Sequence, residues 1–473
     1  MMTKRVAVQP KIQFITIEDL MPKEHFLRDV YNEINFDFIY DRVEHLYSAV
    51  GRPSIDPVII AKIFLIGYFY DIFSERRLMN EIQVNIAYRW FLGIDLDEAV
   101  PDHSTLSQLR RRKFNDSRIF EDIFDEIVRK CIEIGLETGE TLLTDSTHLR
   151  ANAANDKRET VVVTQEPSDY MKRLDQAALA EGLIKELGEP KTEEKAVTKS
   201  ITDPDCGILA RPGKPTVNHQ TIDGGSGIIT DVHVTPANAA DHTHHSPRIK
   251  HQIEKFGFDT KAVVGDAGYD EPEIHADMLE MCIDTYIPRK DRGVRTDDGM
   301  FSRNDFIYDH HSDTYICPNG CTLKFSTFKK GKGAKRYSSK TSDCRGCPLK
   351  AKCLSGNMEK KSIERSYHWT EYEKQHENDI TDKYLEVQRL RKIWCEGTFA
   401  HQKARHCMTR AKMRGIAQTT GQCLLSACAV NIKRMIKWMK GRSGTPQKWL
   451  KLTFFYRLSN RRAFLCQFVN SSK

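Results

Sequence analysis

The sequence predicts an α/β domain built on a mixed sheet, preceded by an all-α N-terminal region and interrupted by a small Cys-rich insertion. Three observations predict it. Apolar residues at helical spacing fill residues 20 to 115, short apolar strands alternate with helical segments from 141 to 290, and five of the 13 cysteines crowd between Cys317 and Cys353. A chain of 473 residues suggests roughly three domains. Forty per cent hydrophobic residues suffice for large cores, and 29% charged residues argue against a membrane protein.

The N-terminus "MMTKRVAVQPKIQFITIEDL" has no continuous apolar core, so no signal peptide is expected. Asp56-Pro57 makes a helix start, with Asp as cap and Pro at the first helical position. The run from Pro57 to Phe73 is short for a membrane span and carries Lys62, which predicts a buried helix. A second helix begins at Ser74 and ends at Gly93, with Leu78, Ile82, Ile86 and Phe91 at near-helical spacing. A third begins near Ser104 and ends in the basic cluster Arg110, Arg111, Arg112 and Lys113. Short helices with basic ends suit a helix-turn-helix-like DNA reader over residues 1–118; a helical oligomerisation domain is the alternative.

Residues 135–290 carry the α/β pattern. "GETLLTDSTHL" is a strand, 155–205 a charged insertion with a helical patch, and "VNHQTIDGGSGIITDVHVTP" a hairpin around "DGGSG". "DHTHHSPRIKHQIEKFG" follows as a helix, "KAVVGDAGYD" as a buried strand, "EPEIHADMLEM" as a helix and "CIDTYIPRK" as a strand, a mixed-sheet order. His242, His244 and His245 are expected at the exposed start of their helix rather than in a metal site.

Two of these strands carry a carboxylate where their apolar run ends. Asp145 follows two leucines where the apolar run meets small polar residues, and Asp266 ends "KAVVGD" with Ala267 and Gly268 behind it. Small neighbours leave room for a metal or phosphate, although a strand-end Asp also serves as a turn former. Asp231 and Asp241 are rivals for the second position, and neither ends so apolar a run. His148 and Asn152 are near Asp145 in the chain and are candidates to line the same site.

Residues 291–370 are rich in Lys, Gly, Ser and Cys. "CPNGC" and "CRGCPLKAKC" resemble the two knuckles of a zinc ribbon, with Cys317, Cys321, Cys344 and Cys347 as ligands and Cys353 as a substitute. Unliganded thiols are the alternative. An odd, uneven set of cysteines does not read as a secreted disulfide framework.

A helical pattern resumes in residues 371–440. Glu396 has Lys403 seven residues on, Lys392 four before and Arg389 seven before, so all four fall near one helical face. Such a face makes ordinary ion pairs, or holds a metal-binding acid among phosphate-binding bases. From Gly397 onward, through the basic tail 441–473, there are 16 Lys and Arg and no Asp or Glu, while the rest holds 56 basic and 65 acidic residues. That asymmetry behind a formal charge of only +7 points to a polyanion, nucleic acid first.

The order Asp145, Asp266, Glu396 resembles the DDE transposases of bacterial insertion sequences. The likeness extends over "GRPSIDPVIIAKIFLIGYFYDIFSERRLMNEI", "WFLG", "PDHSTLSQLRRR", "LLTDSTHLRANA", "TDPD", "VVGDAGYD" and "CEGTFAHQK". It implies an RNase H-like catalytic domain and a helical N-terminal transposase domain, with Asp145, Asp266 and Glu396 as catalytic ligands of two Mg²⁺ or Mn²⁺ ions. It further implies cleavage at the ends of the element and strand transfer to target DNA by a homodimer, in the cytoplasm at the bacterial nucleoid. Lys403 matches a phosphate-binding lysine of a related Tyr-Arg-Glu-Lys signature; here Arg389 stands at the Tyr position and Lys392 at the Arg position. A nuclease that cuts without joining, and an inactive DNA-binding relative, are the rival readings.

Overall fold

The computed structural model describes residues 14–443 apart from 49, 51–53, 115–116, 155–156, 166–168, 188–192, 208–215, 240, 291–298 and 331. The expected basic tail therefore lies almost wholly outside the described residues. The chain divides into two compact units, one of residues 1–137, 226–229 and 423–473, the other of residues 138–225 and 230–422.

The first unit is helical. Pro57–Phe69 starts as its sequence predicts: the Asp56 carboxylate accepts from the amides of Val58 and Ile59, with Pro57 at the first helical position. This helix is buried nearly all round. Its Lys62 ammonium lies 5.1 Å from the ring centres of Tyr31 and Phe91, where aromatic faces replace part of the lost hydration. The helix expected from Ser74 to Gly93 is two. Ser74 caps Glu75–Val84, and then Asn85 turns the chain and caps Ile86–Leu92. The next helix, His103–Leu109, is capped by Asp102 rather than starting at Ser104. From Cys423, helix Ile416–Ser443 belongs to this unit, where the Asn431 side chain donates to and accepts from the backbone of Ile229. No helix among the described residues is long and apolar enough to cross a membrane.

The second unit holds the mixed sheet. Its strands are β1 (Thr141–Leu149), β4 (Thr216–Asp223), β5 (Ile229–Pro236), β6 (Ala262–Val264) and β7 (Asp284–Tyr286), in the order β5-β4-β1-β6-β7. β1 runs antiparallel to β4 and parallel to β6, and β6 runs parallel to β7. The "DGGSG" hairpin joins β4 to its neighbour β5, as its turn chemistry predicts. Helices His245–Phe256 and Pro272–Glu280 supply the core residues Ile249, Ile274 and Met278 that pack with Leu142 and Val263. β7 is an edge, and the Gln375 side chain completes it by accepting from the Thr285 amide and donating to the Ile283 carbonyl.

The charged insertion is a ladder of β2 (Arg158–Gln165) and β3 (Glu193–Ser200) with helix Asp169–Ala180 between them. The Cys-rich stretch contains a second sheet, which its composition did not announce. Strands β8 (Ile307–Asp309), β9 (Thr314–Ile316), β10 (Thr322–Lys329), β11 (Ala334–Ser338) and β12 (Ser362–Ser366) form an antiparallel meander over Phe306, Tyr315, Leu323, Tyr337 and Ile363.

Candidate active site

The sheet brings Asp145 and Asp266 to one place by register. Parallel pairing between β1 and β6 ends at Leu143 opposite Val264, and each Asp lies two residues beyond that last pair. Parallel strands part at their carboxyl ends, which is where open α/β sheets present their ligands. β1 runs to Leu149 against β4, as "GETLLTDSTHL" predicts, with Asp145 opposite Gln220; the carboxylate expected at an exposed boundary is instead only 9% exposed. The carboxylate is thus held in mid-strand. Asp266 lies two residues past the end of β6; its Oδ1 accepts from the Gly268 amide at 2.7 Å, so it also forms a turn. A Cβ on Gly268 would lie 2.7 Å from that same oxygen, so a side chain there would displace the carboxylate.

Glu396 arrives on a distorted helix. The expected continuous helix is Asp382–Arg391, then a π-helical turn Lys392–Glu396, then Gly397–Arg405. Such turns insert a residue and occur at functional sites. This one is anchored to the sheet. The Trp394 indole donates to the Gly224 carbonyl at 3.1 Å, the buried Cys395 thiol points to the Leu143 carbonyl, and Arg391 Nη1 donates to Asp145 Oδ2 at 2.8 Å. The Gln388 amide fixes the preceding helix, donating to the Gly265 carbonyl at 3.0 Å and the Tyr286 carbonyl at 2.7 Å.

The three acids share one field. Burial pushes the Asp145 carboxyl up to about 6; Arg391 and the Ser146 amide oppose the rise, and the charges of Asp266 and Glu396 add to it. Directly opposed residues on antiparallel strands share a face, so Gln220 and Asn218 stand on the Asp145 side of the sheet. Both are at most 1% exposed, and no atom of either side-chain amide has a hydrogen-bond partner among the described residues. Repelling carboxylates beside unused buried amides fit a hard cation and its water, and an all-oxygen set of acids fits Mg²⁺ or Mn²⁺.

The other expected residues are spread more widely. Arg389, Lys392 and Lys403 are exposed. The π turn breaks the single face they were expected to share, and the base on Asp145 is Arg391. Sequence spacing missed Arg391 because it lies off that face, on the buried side of helix Asp382–Arg391 with Val387 four residues before it. Arg110 is ion-paired to Glu75 and lies over the Phe64 ring, while Arg111 and Arg112 are exposed. Asn152 holds a basic strap: its side chain accepts from Arg410 and donates to the Lys412 carbonyl, and its own carbonyl accepts from Arg414.

Asp231 is no free rival, since Arg248 grips both its oxygens. The side chain of Asp241 lies outside the described residues. The expectation of an exposed histidine run fails at His245, which is 3% exposed because the first turn of its helix packs inward. With His219, His233 and His244 it lines a cavity with Thr144 and Thr221, on the face of β1 and β4 opposite to Asp145.

The five cysteines do gather. Cys353 lies near Cys317, Cys344 and Cys347, and Cys321 near Cys317 and Cys347. The Cys321 amide donates to Cys317 Sγ at 3.3 Å. All five are free thiols.

A transposase domain (DUF772) matches residues 15–112, and a transposase DDE domain matches residues 316–436, a span that includes Glu396 and the cysteines but not Asp145 or Asp266. No curated protein matches. Among solved structures, the piggyBac transposase synaptic complex with hairpin DNA aligns at 10% identity over 94% of this chain and 84% of that one, with a TM-score of 0.30, too low to bear on the argument. Two transposase domains are thus matched in succession, one on the helical block and one on the segment that carries Glu396, so the chain is similar to DDE transposases over both stretches.

Proposed function

We propose that the protein cleaves DNA at the ends of its own insertion sequence and joins the freed 3′ ends to target DNA, with Asp145, Asp266 and Glu396 as the metal-binding set of an RNase H-like core. The observation that carries this is the shared register of Asp145 and Asp266 at the parting of β1 and β6, with the Glu396 segment anchored beside them through Arg391, Trp394 and Cys395. Bound there, two Mg²⁺ or Mn²⁺ ions supply activation of the attacking oxygen and stabilisation of the leaving one. The chain's own part is to hold the acids rigid. β1 fixes Asp145 in a paired strand, the Gly268 turn aims Asp266, and Arg391 balances the buried charge.

Lys403, Arg389 and Lys392 are exposed beside the Glu396 segment and would meet phosphates, as would Arg111 and Arg112 of the helical domain, with Arg110 held by Glu75. Two ends must be joined, which calls for a homodimer. The gathered cysteines support a structural zinc held by four of Cys317, Cys321, Cys344, Cys347 and Cys353; metal analysis of the purified protein is expected to give one zinc per chain, and none would remove this part of the reading.

The test of the main reading is cleavage of DNA carrying the gene's flanking ends, with Mg²⁺ or Mn²⁺. Wild type is expected to nick at the end boundary, and Glu396→Gln to bind the ends without cutting. Cutting that survives Glu396→Gln would sink the assignment of that acid. Cleavage without any joined product would favour a nuclease.

A further inference from the structure

Asp270 stands four residues after Asp266 and is fully buried. Its carboxylate meets four donors. Oδ1 accepts from His275 Nε2 at 3.0 Å and His376 Nε2 at 2.9 Å; Oδ2 accepts from the Lys290 amide at 2.7 Å and the Tyr372 hydroxyl at 3.0 Å. A carboxylate offers about four lone-pair sites, so this one is saturated. The donors come from different places. His275 is on helix Pro272–Glu280, Lys290 follows β7, and Tyr372 and His376 lie on the helical segment Trp369–Ile380. That segment passes through Thr381, the cap of helix Asp382–Arg391, to the π turn that ends at Glu396. The imidazoles are held in turn, His275 Nδ1 by Thr285 Oγ1 at 2.7 Å and His376 Nδ1 by Asp379 Oδ2 at 2.8 Å.

The same three groups, Asp270, His275 and His376, have their ligand atoms close enough to hold a metal ion, and a carboxylate behind an imidazole is a usual outer partner of a metal-bound histidine. Two points decide against it. A closed structural site takes four ligands, and both oxygens of Asp270 are already occupied by donors at ordinary hydrogen-bond lengths.

We propose that Asp270 is a positioning residue: it fastens the turn bearing Asp266 to the helical segment leading to Glu396, and so sets the spacing of the two acids for divalent metal. This rests on the metal-binding reading of Asp145, Asp266 and Glu396. Gln388 ties the same two segments once more at Gly265, so the chain meets Asp266 with a fastening on either side. Loss of Asp270 loosens the geometry of the acids without removing a ligand.

The experiment is Mn²⁺ binding to the full chain, followed by electron paramagnetic resonance of the free ion, in wild type, Asp270→Asn and the milder Tyr372→Phe, with zinc content and melting curves alongside. Wild type is expected to bind Mn²⁺ through the three acids. Asp270→Asn should weaken that binding about tenfold, the usual scale for losing an outer-shell partner, and Tyr372→Phe by a smaller factor, both while still folded at the assay temperature. A merely structural role would lower the melting point and leave Mn²⁺ affinity unchanged in the folded protein, which overturns the proposal. So does a transition metal in the purified wild type that is lost on His275→Ala but not on Cys347→Ser, for the cluster would then be a metal centre. Should Asp270→Asn unfold, unchanged affinity in Tyr372→Phe and His376→Asn decides against the proposal, and weakened affinity in both supports it. Tight Mn²⁺ binding that the variants weaken, without cleavage of end DNA by wild type, would retain the fastening and reject the proposed reaction. No Mn²⁺ binding by wild type rejects both.

Discussion

Asp145 and Asp270 are both buried carboxylates of one α/β unit, and they have opposite fates. Asp145 has two donors, the Ser146 amide and Arg391, and burial with two neighbouring acids pushes it up to about 6. Burial would raise Asp270 as well, but hydrogen bonds from His275, His376 and the Lys290 amide hold it well below the usual carboxylate range. Burial alone therefore does not set the state of an acid; the number of donors does. A carboxylate kept short of donors retains lone pairs for a ligand, whereas a saturated one can only fasten structure.

The largest expected effect is on catalysis. Asp145→Asn should lower single-turnover cleavage of end DNA by about a thousandfold or more, the scale for losing a preorganised charge-stabilising group. Asp270→Asn should lower it far less at saturating Mn²⁺. Equal losses would erase the distinction between the two acids.

Stability should run the other way. In Asp270→Asn the amide nitrogen faces donors and the buried partners lose an acceptor, so unfolding by urea should show a loss of about 3 kcal/mol. Asp145→Asn should instead stabilise the metal-free protein near pH 8, by about 1–3 kcal/mol. The sign follows from linkage. The folded value of Asp145 lies above its ordinary 3.8, so its stability contribution is complete below that pH and is lost as pH rises through about 6. Urea midpoints of wild type and variant should therefore converge near pH 4 and separate above pH 6. A variant less stable than wild type at pH 8 would mean that Arg391 favours the ionised form more than burial and the neighbouring acids oppose it.

The smallest effect concerns the opposite face of the sheet. Burial pulls His245 down to about 3, and neither of its ring nitrogens has a hydrogen-bond partner among the described residues. A lowered histidine keeps its contribution above 6.5 and loses it as pH falls toward 3, at up to about 1.4 kcal/mol per pH unit. His245→Leu should gain on wild type as the pH drops from 6.5 to 4. A constant gap in urea midpoint over that range would show that the ring is not buried neutral.

Local chemistry was legible from local signals. Asp56-Pro57 and Ser74 start their helices, "DGGSG" makes its hairpin, and apolar runs before Asp145 and Asp266 mark β1 and β6. The "TDPD" segment had no assigned task. In the fold Asp203 accepts from the Gly415 amide and Asp205 from the Ile416 amide, so the pair caps the start of helix Ile416–Ser443. The antiparallel meander of the Cys-rich stretch escaped notice because its strands are short and mostly half-exposed, with little apolar alternation to give a period.

By itself, then, the sequence determined the α/β class, the helical block before it, and the candidates Asp145, Asp266 and Glu396, because residue type, spacing and turn chemistry act over a few residues. Only the tertiary structure decided that Asp145 is buried opposite Gln220, that Arg391 rather than Lys392 meets that carboxylate, and that Asp270 gathers four donors from three separate segments. The register of parallel strands and the satisfaction of a buried charge depend on residues up to 246 positions apart in the chain. No local period records them; they exist only once the packed core has closed around them.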